Sequence, residues 1–388
     1  MDCNITPTIK YVGVDDINAT LFEEQYPLPH GMSYNSYVIL DEKIAVLDSV
    51  EAGQGSLWLQ QIETATQGKA PDYLVVHHME PDHSACITAI LDRYPSLKLV
   101  ASTQAIGMLP QFFPSYDFTG RTIAVKEGDT LPLGQHTLQF FSAPMVHWPE
   151  VMVSYEQSEQ VLFSADAFGK FGALQYADEW DNEARRYYIN IVGKYGPQVT
   201  RLLDKLTAPA ISIIAPLHGP VITNNLTYYV DLYRTWSAYR PECQGVLVAY
   251  ASIYGGTADA AQRIAEMLRQ TDAGEIVTIN LCRADQSEAV AQAFRLSSMI
   301  VAAPTYDAGL YPAMHDFLYH LSIKNYRNRR VGIIENGSWA PIAAKAMRTM
   351  LEPLPQIEII DPVVTIRSRL NDTSMQQLQL LAQNIAKK

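Results

Sequence analysis

Cysteine is scarce in this sequence, with four residues among 388. They are Cys3, Cys86, Cys243 and Cys282, and no two of them form a C-x-x-C pair. That scatter argues against a disulfide scaffold and against a zinc ribbon. We therefore expect ordinary reduced thiols.

Long apolar runs and excess positive charge are also missing. No uninterrupted apolar run approaches the roughly 20 residues that a membrane span needs, and the N-terminal residues contain no signal-peptide core. The net charge is -12, with a pI near 5.2, which would repel the phosphate backbone of a nucleic acid. We expect a soluble, cytoplasmic protein that binds neither membrane nor nucleic acid.

The chain has enough length and apolar content for more than one core. At 388 residues and 48% hydrophobic composition, two domains are the natural expectation. The segment after Arg240-Pro241-Glu242 begins a new buried strand, so we place the boundary there, giving domains 1–242 and 243–388.

Four side chains that can bind metal follow an apolar segment. Residues 72–76 read as a buried strand, and His78, Glu80, Asp82 and His83 come directly after it. On an extended segment the spacing of two would turn the first three to one side, and His83 would turn back as a helix begins near Ser84. A single such residue would be an ordinary buried polar group, but four together predict a metal site.

Three more candidate ligands follow later apolar strands. They are His147, Asp166 and His218. Each alone would have a structural explanation, and His77, beside the first motif, is expected to be structural. All three stand in the same strand-then-loop context as the first motif.

A second set of loops follows strands after residue 243. The first loop leads into a helix whose free N–H groups and dipole suit one phosphate. No lysine stands where a Walker loop needs one, which disfavours a nucleoside triphosphate. The two later loops each carry an aromatic residue that could neighbour a flat ring. The loop residues are Ser252, Ile253, Tyr254, Gly255, Gly256 and Thr257; Pro304, Thr305, Tyr306, Asp307, Ala308 and Gly309; and Asn336, Gly337, Ser338 and Trp339.

The first motif resembles the H-x-H-x-D-H signature of the metallo-β-lactamase fold, with Glu80 in place of the second histidine. That variant is typical of flavodiiron proteins, and the loop Ser252–Thr257 resembles the flavodoxin phosphate loop, which binds FMN. The resemblance covers almost the whole chain. It implies an α/β protein, with an N-terminal metallo-β-lactamase-like αβ/βα sandwich followed by a flavodoxin-like doubly wound parallel sheet.

The resemblance also implies roles for the ligands. His78, Glu80 and His147 would hold one non-haem iron ion, Asp82, His83 and His218 the other, and Asp166 would bridge them. Glu80, Asp166 and His147 would be the residues closest to catalysis. His83 is the ligand that water could most easily replace.

The implied activity is reduction of O2 to water, of NO to N2O, or both. Electrons would pass through FMN from an external carrier such as rubredoxin or a rubredoxin reductase chain, since the scattered cysteines argue against a built-in rubredoxin domain. We expect a head-to-tail homodimer, and two such dimers could associate further.

Two alternative functions are considered. One is a zinc hydrolase fused to a flavodoxin, in which Asp82 would activate a zinc-bound water, and the other is a non-catalytic flavin sensor. The sequence does not decide between O2 and NO.

Overall fold

The computed structural model describes residues 4–176 and 180–387, and these form two compact units. The first unit contains residues up to 188 and residues 197–234, and the second contains residues 189–196 and those from 235 onward. Residues 235–242, which the sequence analysis gave to the first domain, lie with the second unit. Cys3 lies outside the described residues.

Two large sheets build the first unit. In spatial order, the first described sheet contains Ile9–Tyr11, Tyr37–Ile39, Ala45–Leu47, Tyr73–Val76, Lys98–Ser102 and Thr122–Val125. The second contains Thr130–Pro132, Thr137–Ser142, Met152–Glu156, Val161–Phe163 and Ile213–Ala215. Two short ribbons pair Val14–Asp16 with Met32–Tyr34 and Leu21–Phe22 with Tyr26–Pro27.

One apolar core joins the inner faces of both sheets. Tyr37, Leu47 and Val75 from the first sheet belong to the same buried cluster as Phe140 and Phe163 from the second. Burying apolar residues from two facing sheets is what stabilises a sandwich. The helices of this unit are Gly55–Ala65, Pro81–Ser84, Ile87–Arg93, Thr103–Phe112, Trp180–Tyr187, Gly196–Lys205 and Leu226–Ser237, with short 3-10 segments Ala52–Gln54 and Leu174–Tyr176. The π-helical turn Tyr188–Val192 and the 3-10 segment Gly193–Tyr195 lie in the part of the chain that belongs mainly to the second unit.

A parallel sheet forms the second unit. Its strands lie in the spatial order Glu275–Asn280, Cys243–Tyr250, Leu296–Tyr306, Arg329–Asn336 and Ile357–Ile366, with the short strand Gly309–Leu310 paired to the third. In sequence terms this order is 2-1-3-4-5, the flavodoxin-like arrangement. The helices are Gly256–Leu268, Gln286–Arg295, Pro312–Ile323, Ala343–Leu351 and Asp372–Ala386. The predicted fold class is confirmed.

The structure also corrects a local prediction. The helix after the first metal motif begins at Pro81, not near Ser84, because Pro81 takes the first helical position. Asp82 and His83 therefore lie in a helical turn, and Asp82 does not share a side of an extended segment with His78.

Among the described residues, no helix has the length and apolar content to cross a bilayer. Within the described part of the chain, Cys86, Cys243 and Cys282 form no disulfide bond.

Candidate metal centre and anion-binding pocket

Strand ends bring the seven candidate ligands together in the first unit. His78 follows the buried strand Tyr73–Val76, and Glu80 precedes the turn of helix Pro81–Ser84. Asp166 follows Val161–Phe163, and His218 follows Ile213–Ala215. These last two strands are parallel neighbours, so their carboxyl ends lie at the same edge of the sheet.

The first ligand group surrounds Glu80. Its Oε2 lies 3.1 Å from His78 Nε2 and 3.0 Å from His147 Nε2. The Oδ2 atom of Asp166 lies 3.3 Å from His78 Nε2 and 3.2 Å from His147 Nε2. Separations near 3 Å are those of adjacent ligands that each lie about 2.1 Å from one metal ion.

The second group contains Asp82, His83 and His218. Asp82 Oδ2 lies 3.3 Å from His83 Nε2 and 3.2 Å from His218 Nε2, and these two ring nitrogens are 3.0 Å apart. The Oδ1 atom of Asp166 faces this group, 3.4 Å from His83 Nε2 and 3.7 Å from His218 Nε2. Asp166 thus presents one oxygen to each group, the arrangement of a carboxylate that bridges two metal ions.

Charges within the cluster shift the pKa values of its members strongly. Burial lowers the pKa of His147, but the carboxylates of Asp166 and Glu80 outweigh it and raise the pKa to about 9. Burial raises the pKa of Glu80, but His147 and His78 hold it well below its usual range. Burial also raises the pKa of Asp166, but His78, His147 and His83 outweigh this effect and hold the pKa well below its usual value. The nearby carboxylates also outweigh burial at His78 and His83 and raise the pKa values of these two histidines.

Unsatisfied buried atoms show that the cluster fits metal ions. Among the described residues, both carboxylate oxygens of Asp82 and of Asp166 are buried without a hydrogen-bond partner. Leaving such atoms unpaired is costly unless a cation takes them. Four imidazole nitrogens with carboxylates and no sulfur suit non-haem iron, with zinc the other candidate.

Groups behind the ligands orient two of the histidines. His78 Nδ1 donates a hydrogen bond to Glu150 Oε1 at 2.8 Å, and His218 Nδ1 donates to the carbonyl of Ser33 at 2.7 Å. Each bond leaves Nε2 facing the cluster, as in other metal sites. His83 Nδ1 has no such partner among the described residues.

His77 lies beside the ligands without joining them. Its Nδ1 contacts Asp48 and its Nε2 lies 2.8 Å from Ser154 Oγ, all in the buried interior. This supports the structural role expected for His77. Asp48 directly follows strand Ala45–Leu47 of the first sheet and Ser154 lies in strand Met152–Glu156 of the second, so the contact links the two layers.

Sequence reasoning missed three residues near the cluster. Glu150 stands three residues after His147, but nothing in the pattern marks it as the partner of His78. The hydroxyl of Tyr187 is fully buried without a partner among the described residues, and burial together with the charges of Asp166, Glu80 and Asp82 raises its pKa well above the usual value. Glu23 lies close enough to Glu80 that burial and this neighbour raise its pKa to about 7.

The second unit contains a pocket of about 570 Å³ at the carboxyl ends of its parallel strands. Ser252, Ile253, Tyr254, Gly256 and Thr257 line it, with Pro304, Thr305, Asp307, Ala308, Asn336, Gly337, Ser338 and Trp339 from the later loops. Three predicted residues, Gly255, Tyr306 and Gly309, do not line it. Three others line it without having been predicted: Ala340, Ser368 and Arg369.

Close backbone packing shapes the phosphate end of this pocket. A Cβ atom on Gly256 would lie 2.2 Å from the carbonyl oxygen of Ser368, so only glycine fits there. Ser252 Oγ accepts a hydrogen bond from Ala258 N–H in the first turn of helix Gly256–Leu268. Asn336 exchanges two hydrogen bonds with the backbone of Ser368. The loops therefore form a cradle at a helix N-terminus, which suits a phosphate.

Two aromatic side chains at the pocket are strongly exposed. Tyr254 is 89% exposed and Trp339 is 83% exposed, although both line the cavity. Large apolar groups left in water commonly mark a binding surface. A flat aromatic ligand in this pocket would cover them.

A family model described as ODP family beta lactamase matches residues 32–219, which contain all seven candidate metal ligands. Two relatives span most of the chain. An anaerobic nitric oxide reductase flavorubredoxin of Escherichia coli is 29% identical over 91% of this chain and 75% of its own length. A rubredoxin-oxygen oxidoreductase of Megalodesulfovibrio gigas is 28% identical over 97% of this chain and 95% of its own.

A solved structure shares the fold over the full length. The flavodiiron protein from Giardia intestinalis superposes with a TM-score of 0.94 at 22% identity, covering 100% of this chain and 96% of that one. The similarity includes both units, so the folds of the two units occur together in that protein.

Proposed function

The chain belongs to the flavodiiron protein family, and from that membership we propose that it reduces O2 to water, NO to N2O, or both. Its cofactors are FMN and a pair of non-haem iron ions. The observation that carries this function is Asp166, whose Oδ2 faces His78 and His147 while Oδ1 faces His83 and His218. A carboxylate shared in this way is what a two-metal centre requires.

We assign the ligands as the sequence predicts. His78, Glu80 and His147 would hold one ion, and Asp82, His83 and His218 the other, with Asp166 between them. Three carboxylates nearly neutralise two ferrous ions, and the carboxylate of Glu80 favours the oxidised state more than a histidine would. When bound, the cofactors supply four electrons, two from reduced flavin and one from each ferrous ion, which matches reduction of O2 to two waters.

The surrounding side chains protect the centre. The ring of Phe22 packs against the ring of His218 with 5.5 Å between the ring centroids, and the rings of Trp148 and His78 pack with 5.1 Å between their centroids. These aromatic walls limit water around the ligands and strengthen the electrostatic interactions inside. The buried hydroxyl of Tyr187 keeps its proton and can donate a hydrogen bond into this space.

The pocket of the second unit fits FMN. Ser252, Thr257 and the N-terminus of helix Gly256–Leu268 would hold the phosphate, and Tyr254 and Trp339 would cover the ring system. We also propose that Arg369, which lines the pocket, adds positive charge toward the phosphate. The division into a diiron domain of residues 1–242 and an FMN domain of residues 243–388 remains part of this proposal.

Three further features extend the proposal. Electrons would arrive from a separate carrier, because one relative is named for rubredoxin and the flavin pocket is open to solvent. The working unit would be a homodimer that sets the FMN domain of one chain against the diiron domain of its partner. A cytoplasmic location remains the expectation from sequence.

Rapid mixing tests the function directly. The purified protein should contain about two irons and one FMN per chain. In stopped-flow experiments, the fully reduced protein should be reoxidised rapidly by O2, by NO, or by each gas in separate runs. The rates for the two gases would decide the substrate preference. Reduced, fully loaded protein that neither gas reoxidises would refute the proposal.

The hydrolase alternative is not favoured. The two relatives described above, which match more than 90% of this chain, are named a nitric oxide reductase and an oxidoreductase. A protein that retained two zinc ions, and that hydrolysed esters or amides, would reverse this conclusion.

A further inference from the structure

A second group of side chains that could hold a metal ion lies in the first unit, away from the seven candidate ligands. It contains His136, Glu156 and Glu159, whose ligand atoms lie within 4.8 Å of one another. Strand Met152–Glu156 begins beside Glu150, the partner of His78, and ends at Glu156. Five extended residues span on the order of 13 Å, so the two groups occupy opposite ends of this strand.

We propose that His136, Glu156 and Glu159 form a separate site for one divalent cation of the first transition row, with zinc as its probe. Imidazole nitrogen combined with carboxylate oxygen is a ligand set that such ions prefer. The three residues come from the start of one strand and from one hairpin turn of the second sheet. A cation bound here would link these two parts of the second sheet at one end of the sandwich.

Asp41 orients His136 for this role. Its Oδ2 accepts hydrogen bonds from the backbone N–H of His136 at 2.7 Å and from Nδ1 at 2.8 Å. A carboxylate on Nδ1 is the usual partner of a histidine that binds metal through Nε2. That Nε2 lies 3.8 Å from Glu159 Oε2, a separation that fits two ligands each about 2.1 Å from a shared ion.

The charges around His136 do not balance. Three carboxylates, those of Asp41, Glu156 and Glu159, surround one imidazole, and among the described residues no lysine or arginine forms an ion pair with any of them. Glu156 is fully buried, and its hydrogen bonds come from the uncharged Ser158 and the backbone of Glu159. Buried carboxylates are normally paired with a cation or bind a metal.

The hydrogen-bond pattern shows what the cation would replace. Thr8 Oγ1 donates a hydrogen bond to Glu159 Oε1 at 2.9 Å and lies 3.1 Å from His136 Nε2, and Thr6 Oγ1 donates to Glu159 Oε2 at 2.5 Å. A cation bound by His136 Nε2 and Glu159 would replace these contacts of Thr6 and Thr8 and would reduce the excess negative charge of the carboxylates.

The test adds zinc to protein already loaded with iron and FMN. Zinc bound per chain is measured by equilibrium dialysis, and its ligands by X-ray absorption at the zinc edge, which does not detect iron. We expect about one zinc per chain with one imidazole and carboxylate oxygens, and unchanged iron content. His136→Gln and Glu159→Gln should each weaken zinc binding by about tenfold or more.

Matched controls separate this site from others. Glu63→Gln removes an exposed carboxylate paired with Arg93 and should bind zinc like the wild type. Glu159 is only partly buried, so Glu159→Gln should fold normally and keep its iron, FMN and gas reduction. The proposal is overturned if no zinc binds beyond the iron centre, if zinc binds only by displacing iron, or if neither His136→Gln nor Glu159→Gln changes zinc affinity.

Discussion

Glu150 accepts two hydrogen bonds at one oxygen, from His78 Nδ1 at 2.8 Å and from the backbone N–H of Met79 at 2.9 Å. Glu150 is 1% exposed. Burial raises its pKa, but the hydrogen bond and charge of His78 outweigh burial and lower it. The carboxylate therefore stays ionised and holds the His78 ring with Nε2 facing Glu80 and Asp166.

The first prediction concerns this contact. Glu150→Ala should lower iron affinity about tenfold to a hundredfold, because His78 loses the group that fixes its orientation. Glu150→Gln keeps an acceptor oxygen and should lose less. Iron per chain after incubation with a chelator measures the effect, with FMN content as the internal control. An alanine variant that retains iron like the wild type would show that Glu150 does not position His78.

The sequence indicated which candidate ligands converge, but it did not indicate the residues that position them. His78, His147, Asp166 and His218 all follow apolar strands, and strand ends in these sheets meet at one edge, so their convergence could be anticipated. Glu150 could not, because its role depends on which buried carboxylate lies behind His78 in three dimensions. Likewise, Ser368 and Arg369 reach the flavin pocket from a loop without glycine or a recognisable motif.

Glu80 supplies the second prediction. Glu80→His restores the pattern of the zinc hydrolases and removes the carboxylate that favours oxidised iron. We expect lower iron retention and slower gas reduction, with FMN still bound at its separate site. Metal analysis and stopped-flow reoxidation give both readouts. Unchanged iron content and turnover would contradict the iron-specific role of Glu80.

The third prediction is a pH dependence of iron binding. Iron binds neutral imidazole, and in the metal-free protein the pKa of His147 is raised to about 9. Each displaced proton should make iron affinity rise about tenfold per pH unit below this value. Anaerobic titrations with ferrous iron against a chelator of known pH dependence would measure the slope, and a flat profile would refute the prediction.

The same shift affects the stability of the metal-free protein. A histidine whose folded pKa is raised stabilises the fold below its unfolded pKa of about 6.5, and this contribution is lost as pH rises through about 9. The unfolding temperature of metal-free protein should therefore fall across this window. Iron-loaded protein should not show this loss, because metal replaces the protons.

The fourth prediction concerns the phosphate cradle. Ser252→Ala together with Thr257→Ala should weaken FMN binding, since two hydroxyl donors to a dianion are lost, each worth about 1.5–3 kcal/mol. Iron content should not change. Ser322→Ala, which removes an exposed hydroxyl of the same unit, is the matched control. If the double variant kept stoichiometric FMN through dialysis, the phosphate would have to bind elsewhere.

The last prediction is that electrons pass between chains of a head-to-tail homodimer. The proposed metal ligands precede residue 219 and the proposed flavin loops follow residue 251, so each cofactor would bind to a different unit. An isologous two-fold contact uses the same pair of surfaces twice, and it can set the FMN domain of one chain against the diiron domain of its partner at both ends. Fast electron transfer requires such closeness.

Mixed dimers test this arrangement. One chain would carry Asp166→Ala, which removes the bridging carboxylate, and the other Ser252→Ala with Thr257→Ala, after its loss of FMN has been verified. Each homodimer should be inactive, because one lacks a complete diiron centre and the other lacks flavin. The heterodimer holds an intact FMN on one chain and an intact diiron centre on the other, so it should recover up to about half of the wild-type activity, since one of its two cofactor pairs is complete. Electron transfer within a single chain predicts no recovery, and an inactive heterodimer with both chains folded and correctly loaded would therefore refute transfer across the interface.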